Sequence, residues 1–225
     1  MISVIFDLDG TLVDSEPNYY ESGRRTLERH GVPGFTWEQH SRFIGIGTLE
    51  TLEILKERYG IPAPVEQLLA EQNAAYLALS RTGTEVFPEM RKFVERLHAE
   101  DVPMAVASGS SREAIEAVLA GTGLDALLTV AVSAEEVAHG KPAPDVFLEA
   151  ARRLGSDPAD CVVVEDTAPG AEAARAAGMG CLAVPYVTTT AGDPAFASAG
   201  LMFRGGQREF SAETAYEWVS EHPAA

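Results

Sequence analysis

The sequence predicts an α/β protein: a parallel sheet core with an α-helical domain inserted after the first strand. Three observations carry this. Ile2 to Phe6 is a short, apolar, β-rich run that reads as a buried strand. From Asp14 to Thr84 the pattern is helical throughout, with no strand signal. From Phe87 onward, β-branched runs alternate with helical periods, which implies parallel strands joined by right-handed crossovers. Residues 1–14 and 85–225 are therefore expected to form the core, and 15–84 the insert.

Taken in order, the first strand ends in Asp7-Leu8-Asp9-Gly10-Thr11, where Gly10 permits a sharp turn. Ser15-Glu16-Pro17 reads as a cap and early-turn proline opening a helix to about His30, which Gly31-Val32-Pro33-Gly34 breaks. Thr36-Trp37-Glu38-Gln39 has capping-box spacing and opens a second helix, ended by Gly45-Ile46-Gly47. A third helix is expected from Thr48 to Tyr59, with Leu49, Leu52, Ile54 and Leu55 on its apolar side, and a fourth from after Pro64 to about Arg81. In the core, helices are predicted over Pro88–Glu100, from the Ser110–Glu113 capping box to Gly121 or Gly123, over Pro144–Leu154, and from about Ala168 to Ala177. Strands are predicted at Val102–Ala107, Leu127–Val132, Cys161–Glu165 and Gly180–Val184. Beyond Pro185 the signal weakens until a last helix around Ser211–Ser220.

Composition narrows the function classes. The chain is 46% hydrophobic and 23% charged, ordinary for a globular protein. A formal charge of −17 argues against nucleic acid as the main partner, since phosphate backbones need basic surfaces. The two cysteines, Cys161 and Cys181, fall in apolar runs and read as buried thiols rather than a disulfide. The N-terminus opens on a core strand without the basic region of a signal peptide, and no apolar run is long enough for a membrane. A cytoplasmic protein, monomer or homodimer, is expected.

The chemistry gathers at strand ends, where ligands sit in an open parallel sheet. Asp7 and Asp9, two residues apart, point the same way if the extended geometry continues through them. Two such acids suit a small hard cation such as Mg2+, and also suit a nucleophile paired with a proton-transfer group. An EF-hand loop fails, because its fifth and sixth positions hold Thr11 and Leu12. Ser108, Lys141 and the Glu165-Asp166 pair follow three later strands. Each has a plain alternative: a helix-capping hydroxyl, a solvated loop lysine, acids favoured by a helix dipole. Ser108 lacks G-x-S-x-G surroundings, which excludes a serine hydrolase.

The order of these groups resembles the haloacid dehalogenase (HAD) superfamily. Asp7-Leu8-Asp9-Gly10-Thr11 matches its nucleophile loop, Ser108 its second motif, Lys141 its third, and Glu165-Asp166 with the glycine-containing helix start through Gly170 its fourth. The nearest branch looks like that of β-phosphoglucomutase and phosphoglycolate phosphatase, with a Rossmann-like core and a helical cap. The resemblance implies that Asp7 attacks phosphorus and carries an aspartyl-phosphate, and that Asp9 protonates the leaving oxygen and activates water. It implies that Ser108 and Lys141 hold the phosphoryl oxygens, and that Mg2+ binds Asp7, the Asp9 carbonyl and Asp166, with Glu165 a direct or water-linked ligand.

A small-molecule phosphate ester is the implied substrate, with Gly10, Thr11, Glu16, Asn18, Gly45, Gly109 and Arg112 as further contacts. An insert that closes over such an intermediate would control water, with hinges near Asp14–Glu16 and Gly83–Val86. The sugar-phosphate mutases of this family carry a basic residue in the cap loop and a histidine in the first cap helix. Thr48 and Tyr19 stand at those places here, so a phosphatase is favoured over a mutase. Dehalogenation is disfavoured by Asp9 and the full acidic set. A non-catalytic binding protein has no support, since each motif position is chemically competent.

Overall fold

The structure, a computed structural model, describes residues 2–44 and 46–221. The chain divides into two compact units, Met1–Asp14 with Glu85–Ala225, and Ser15–Thr84.

The first unit holds β1 (Ser3–Phe6), β2 (Val13–Asp14), β3 (Glu85–Val86), α5 (Pro88–Ala99), β4 (Met104–Ser108), α6 (Arg112–Thr122), β5 (Val130–Ser133), α7 (Asp145–Leu154), β6 (Cys161–Glu165), α8 (Ala168–Ala176), β7 (Gly180–Ala183), β8 (Leu201–Met202) and α9 (Ala212–Glu221). Among the described residues, six strands form one parallel sheet in the order β5-β4-β1-β6-β7-β8. β1 is central because both its faces are apolar, which a strand covered by helices on each side requires. Val4 and Phe6 join Phe93, Leu97, Ile115 and Val118 on one face. Ile5 joins Ala105, Val163, Phe147, Ala150 and Ala171 on the other. Phe6 meets Phe93 edge-on at 5.9 Å between ring centres, and burying a ring of that size is worth roughly 1.5–3 kcal/mol. Chain order reverses at β1, which has β4 on one side and β6 on the other, and this is where an open α/β sheet leaves its ligand crevice.

The elements differ from the sequence reading in informative ways. β4 begins at Met104 rather than Val102, because the Val102 N–H returns to the Leu97 carbonyl at 3.0 Å to close α5. β5 begins at Val130 rather than Leu127, because the Leu127 and Leu128 amides both return to Leu124 O in a tight turn. α6 is capped by Ser111, whose side chain accepts from the Ala114 N–H, and not by Ser110. The two-residue strands β2, β3 and β8 are too short to show alternation; β2 and β3 pair antiparallel through Val13–Val86 and Asp14–Glu85. Cys161 and Cys181 are free and buried, and burial raises their thiols to about 11 and about 12.

The second unit is helical: α1 (Glu16–Arg29), α2 (Trp37–His40), α3 (Thr48–Tyr59) and α4 (Val65–Gly83). Its core is Leu27, Phe35, Phe43, Leu52, Leu55, Ile61 and Leu68. The Thr36–Gln39 capping box forms both its bonds, but α2 runs only to His40 before a 3-10 turn over Ser41–Phe43. Tyr19 stacks on Tyr76 at 4.3 Å. Asn18 donates to the Thr84 hydroxyl at 2.8 Å, tying the two ends of the unit together. Among the described residues, no helix is long and apolar enough to cross a membrane.

Candidate active site

The sheet register brings three strand ends to one place. Phe6 lies level with Val106 and Val164, so Asp7 follows level with Ala107, one residue before Ser108 at the end of β4, and with Glu165 of β6. The Asp7 N–H still donates to Val164 O at 2.9 Å, which extends the ladder and holds the Asp7 backbone rigid. Lys141 precedes α7, joined to Pro142 by a cis peptide. Its ammonium donates to Asp7 Oδ1 at 2.5 Å and to Glu165 Oε1 at 2.7 Å, and lies 4.8 Å from the centre of the Phe147 ring.

Glu165 spends its other oxygen locally. Oε2 accepts from the Asp166 and Thr167 amides, each at 2.7 Å, and from the Thr167 hydroxyl at 2.9 Å. A Cβ at Gly170, in the first turn of α8, would overlap this carboxylate, so glycine there makes the room it occupies. Asp166 accepts from the Thr11 hydroxyl at 2.9 Å. Gly10 turns at φ +81°, and a Cβ on it would come within 2.5 Å of Asp166 Oδ2. Asp9 Oδ2 accepts from Ser110 Oγ at 2.6 Å and more distantly from Ser108 Oγ at 3.4 Å. Ser108 Oγ in turn accepts from the Ser110 N–H at 3.0 Å.

The chain that carries this lysine, shared by two buried acids beside a third, has relatives among known proteins. Residues 3–178 match the family model of haloacid dehalogenase-like hydrolases. The chain belongs to this family. A fructose-1-phosphate phosphatase of Escherichia coli is 38% identical over 189 residues, covering 78% of this chain and 92% of that protein. A bifunctional riboflavin kinase/FMN phosphatase of Arabidopsis thaliana is 35% identical over 185 residues; the match covers 81% of this chain but spans only 48% of that protein. A HAD family hydrolase of Deinococcus radiodurans, solved with bound phosphate and sodium, superposes with TM-score 0.74 at 27% identity, covering 96% of each chain.

In this HAD site the charge balance is negative. Burial drives the Asp7 carboxyl up to about 8, with Glu165 and Asp9 adding to the rise and Lys141 opposing it. Burial, then Glu165 and Asp7, raise Asp166 well above the usual carboxylate range. Burial disfavours the Lys141 ammonium, yet Asp7 and Glu165 outweigh it and hold the proton above the ordinary lysine range. Buried acids that raise one another in this way gain from a cation between them. The oxygens available, on Asp7 and Asp166, are the hard donors Mg2+ prefers. Among the described residues, no group of three or more His, Cys, Asp or Glu side chains is set to hold a metal alone. Mg2+ needs no such cage, being commonly held by one or two carboxylates with water and substrate phosphate.

Several expected contacts are placed differently. Glu165, expected as a direct or water-linked metal ligand, has its oxygens engaged by Lys141, two backbone amides and the Thr167 hydroxyl. Arg112, expected at substrate, donates to both Glu136 oxygens at 2.5 Å and to Ala131 O at 2.9 Å along the edge of β5. Thr11 is fully buried and turned to Asp166. Glu16 is paired with His40 at 2.9 Å, and Asn18 with Thr84, both inside the helical unit. Gly109 is exposed, with open space where a Cβ would be. Gly45 lies outside the described residues. Ser110 was read as a cap and is instead the nearer hydroxyl on Asp9; the spacing Ser108-x-Ser110, with Ser111 left to cap, was the available signal.

Proposed function

We propose that this chain is a Mg2+-dependent phosphatase of small phosphorylated metabolites, with sugar phosphates the first class to test. The observation that carries the reading is the buried Asp7–Lys141–Glu165 cluster with Asp166 beside it, where β1 meets β4 and β6. Phosphoryl transfer depends on in-line positioning and neutralised charge more than on covalent ingenuity. Asp7 is held by its backbone ladder and serves as the nucleophile, accepting the phosphoryl group as an aspartyl-phosphate. Lys141 meets that group's oxygens with its ammonium, and Glu165 keeps the ammonium in place. Ser108 offers a hydroxyl to the same oxygens. Asp9, oriented by Ser110, gives a proton to the leaving alcohol and then takes one from the attacking water. Mg2+ would be held by the Asp7 and Asp166 carboxylates and the Asp9 carbonyl, and supplies positive charge that lets these acids remain ionised together. The helical unit, residues 15–84, serves as the cap that selects substrate.

Support for sugar phosphates comes from the E. coli relative, named for fructose-1-phosphate. A mutase needs a second phosphate grip, and residues 44–49, which lie at the matching loop, carry no charge. The test is phosphate release from hexose, pentose, glycolate and nucleotide monophosphates, with and without Mg2+, beside an Asp7→Asn variant. Release that requires both Mg2+ and Asp7 is expected. Isomerised sugar phosphate without free phosphate would establish a mutase instead, and no turnover of any ester would end the phosphatase reading.

A further inference from the structure

The C-terminal stretch beyond residue 178, outside the family match, reaches back to the nucleophile loop through two side chains. Gln207 Nε2 donates to Thr11 O at 2.9 Å and to Gly10 O at 3.3 Å. Tyr186 Oη donates to Asp14 Oδ1 at 3.0 Å, at the far end of the same loop. We propose that Gln207 is a positioning residue for the reaction, holding the Gly10–Thr11 turn, and with it Asp9 and Asp166, in working geometry. The proposal rests on the phosphatase reading above.

The argument begins with backbone accounting. Within the loop, Gly10 N donates to Val13 O, and the Leu12 and Val13 amides both return to Leu8 O. Those bonds engage the carbonyls of Leu8 and Val13. The Gly10 and Thr11 carbonyls receive the Gln207 amide, and a backbone carbonyl removed from water needs such a donor. The clamped pair has Asp9 immediately before it and carries, on Thr11, the hydroxyl that orients Asp166. A rotation of this one turn would therefore move two acids of the site at once.

The amide is itself held by a rigid support. Gln207 sits in a 3-10 turn, Gly206–Arg208. Gly206 has φ +63°, and a Cβ there would overlap the Pro185 carbonyl, so the turn packs against backbone. The Glu209 and Phe210 amides both return to Gly206 O at 3.0 Å, and Gly205 N donates to the Glu209 carboxylate at 2.5 Å. Phe203 and Phe210 bracket the turn, buried edge-to-face at 5.1 Å. Gln207 Oε1 is buried and has no hydrogen-bond partner among the described residues. Burying an amide with its acceptor end unsatisfied is unfavourable, and it is tolerated here where the donor end holds two loop carbonyls.

The experiment compares Gln207→Met, which keeps the reach and loses the donor, with Gln207→Lys, which restores one. Steady-state kinetics on the best ester are paired with hydrogen exchange of the full-length chain, resolved at the peptide covering residues 8–13. For Gln207→Met we expect kcat to fall about tenfold or more with KM within about threefold, as a small misplacement at a reacting centre does. Exchange of that peptide should quicken by about tenfold while the rest of the sheet keeps its protection. Gln207→Lys should recover most of both. Either change without the other overturns the proposal, as does a kcat loss accompanied by faster exchange throughout the core. A wild-type chain that turns over no ester overturns the phosphatase reading first, before any Gln207 variant is compared.

Discussion

Asp7 is the residue on which the site turns. Its carboxyl is held up at about 8, against 3.8 for an unperturbed group, so the metal-free folded chain binds that proton more tightly than the unfolded chain does. Stability from this group is therefore complete below about pH 3.8 and is lost progressively as pH rises from there to about 8. Asp7→Asn, uncharged at every pH, escapes the loss. In EDTA, its melting temperature should exceed that of wild type at pH 8, by a margin that shrinks as pH falls toward 4, although turnover is abolished. A margin that does not change with pH would mean that Lys141 alone already keeps Asp7 ionised. The same scale shows what spacing could and could not reveal. Asp7, Asp9 and Lys141 stood out because each follows a strand. That Glu165 faces Lys141 and two amides, and that Arg112 faces Glu136, depended on side-chain direction, which spacing does not encode.

At the scale of elements, the start of α8 joins capping to catalysis. Thr167 caps the helix through the Gly170 amide while its own N–H and hydroxyl bind Glu165. Gly170→Ala forces a methyl into the Glu165 carboxylate. A destabilisation of about 1–3 kcal/mol is expected, as for overpacked cores, together with a fall in kcat as Lys141 loses its anchor. Chemical denaturation and kinetics on the same preparation check both, and unchanged values for each would remove Glu165 from the account. The long elements were readable because periodicity and caps act locally. The short strands β2, β3 and β8 exist only because a partner strand lies beside them. Ser110 and Ser111 each satisfy a local capping pattern; packing against Asp9 decided which one caps.

At the scale of the molecule, a −17 chain is proposed to receive an anionic ester. Long-range repulsion should slow encounter, and salt screens it over about 10 Å at 0.1 M. Raising KCl from about 10 to 150 mM at saturating Mg2+ should therefore increase kcat/KM, on the order of twofold. A decrease would show that a local basic surface steers the substrate and that overall charge is not the governing field. The sheet order matters on the same scale. Placing β1 between β4 and β6 brings residues 7, 108 and 165 together although more than fifty positions separate each from the next.

The sequence alone determined the fold class, the buried apolar first strand, the helical stretch between residues 14 and 84, and the acids and lysine that follow strands. Hydrophobic period, β-branched runs and turn residues are properties of neighbouring positions, and these dictate local structure without reference to the rest of the chain. Tertiary structure decided which groups meet: Lys141 between Asp7 and Glu165, Ser110 rather than Ser108 nearer Asp9, Arg112 on the edge of β5, and Gln207 on the nucleophile loop. Those contacts arise from strand order and helix packing, which bring distant positions within hydrogen-bond reach. A hydrogen bond is sensitive to tenths of an ångström in a way that no linear pattern records.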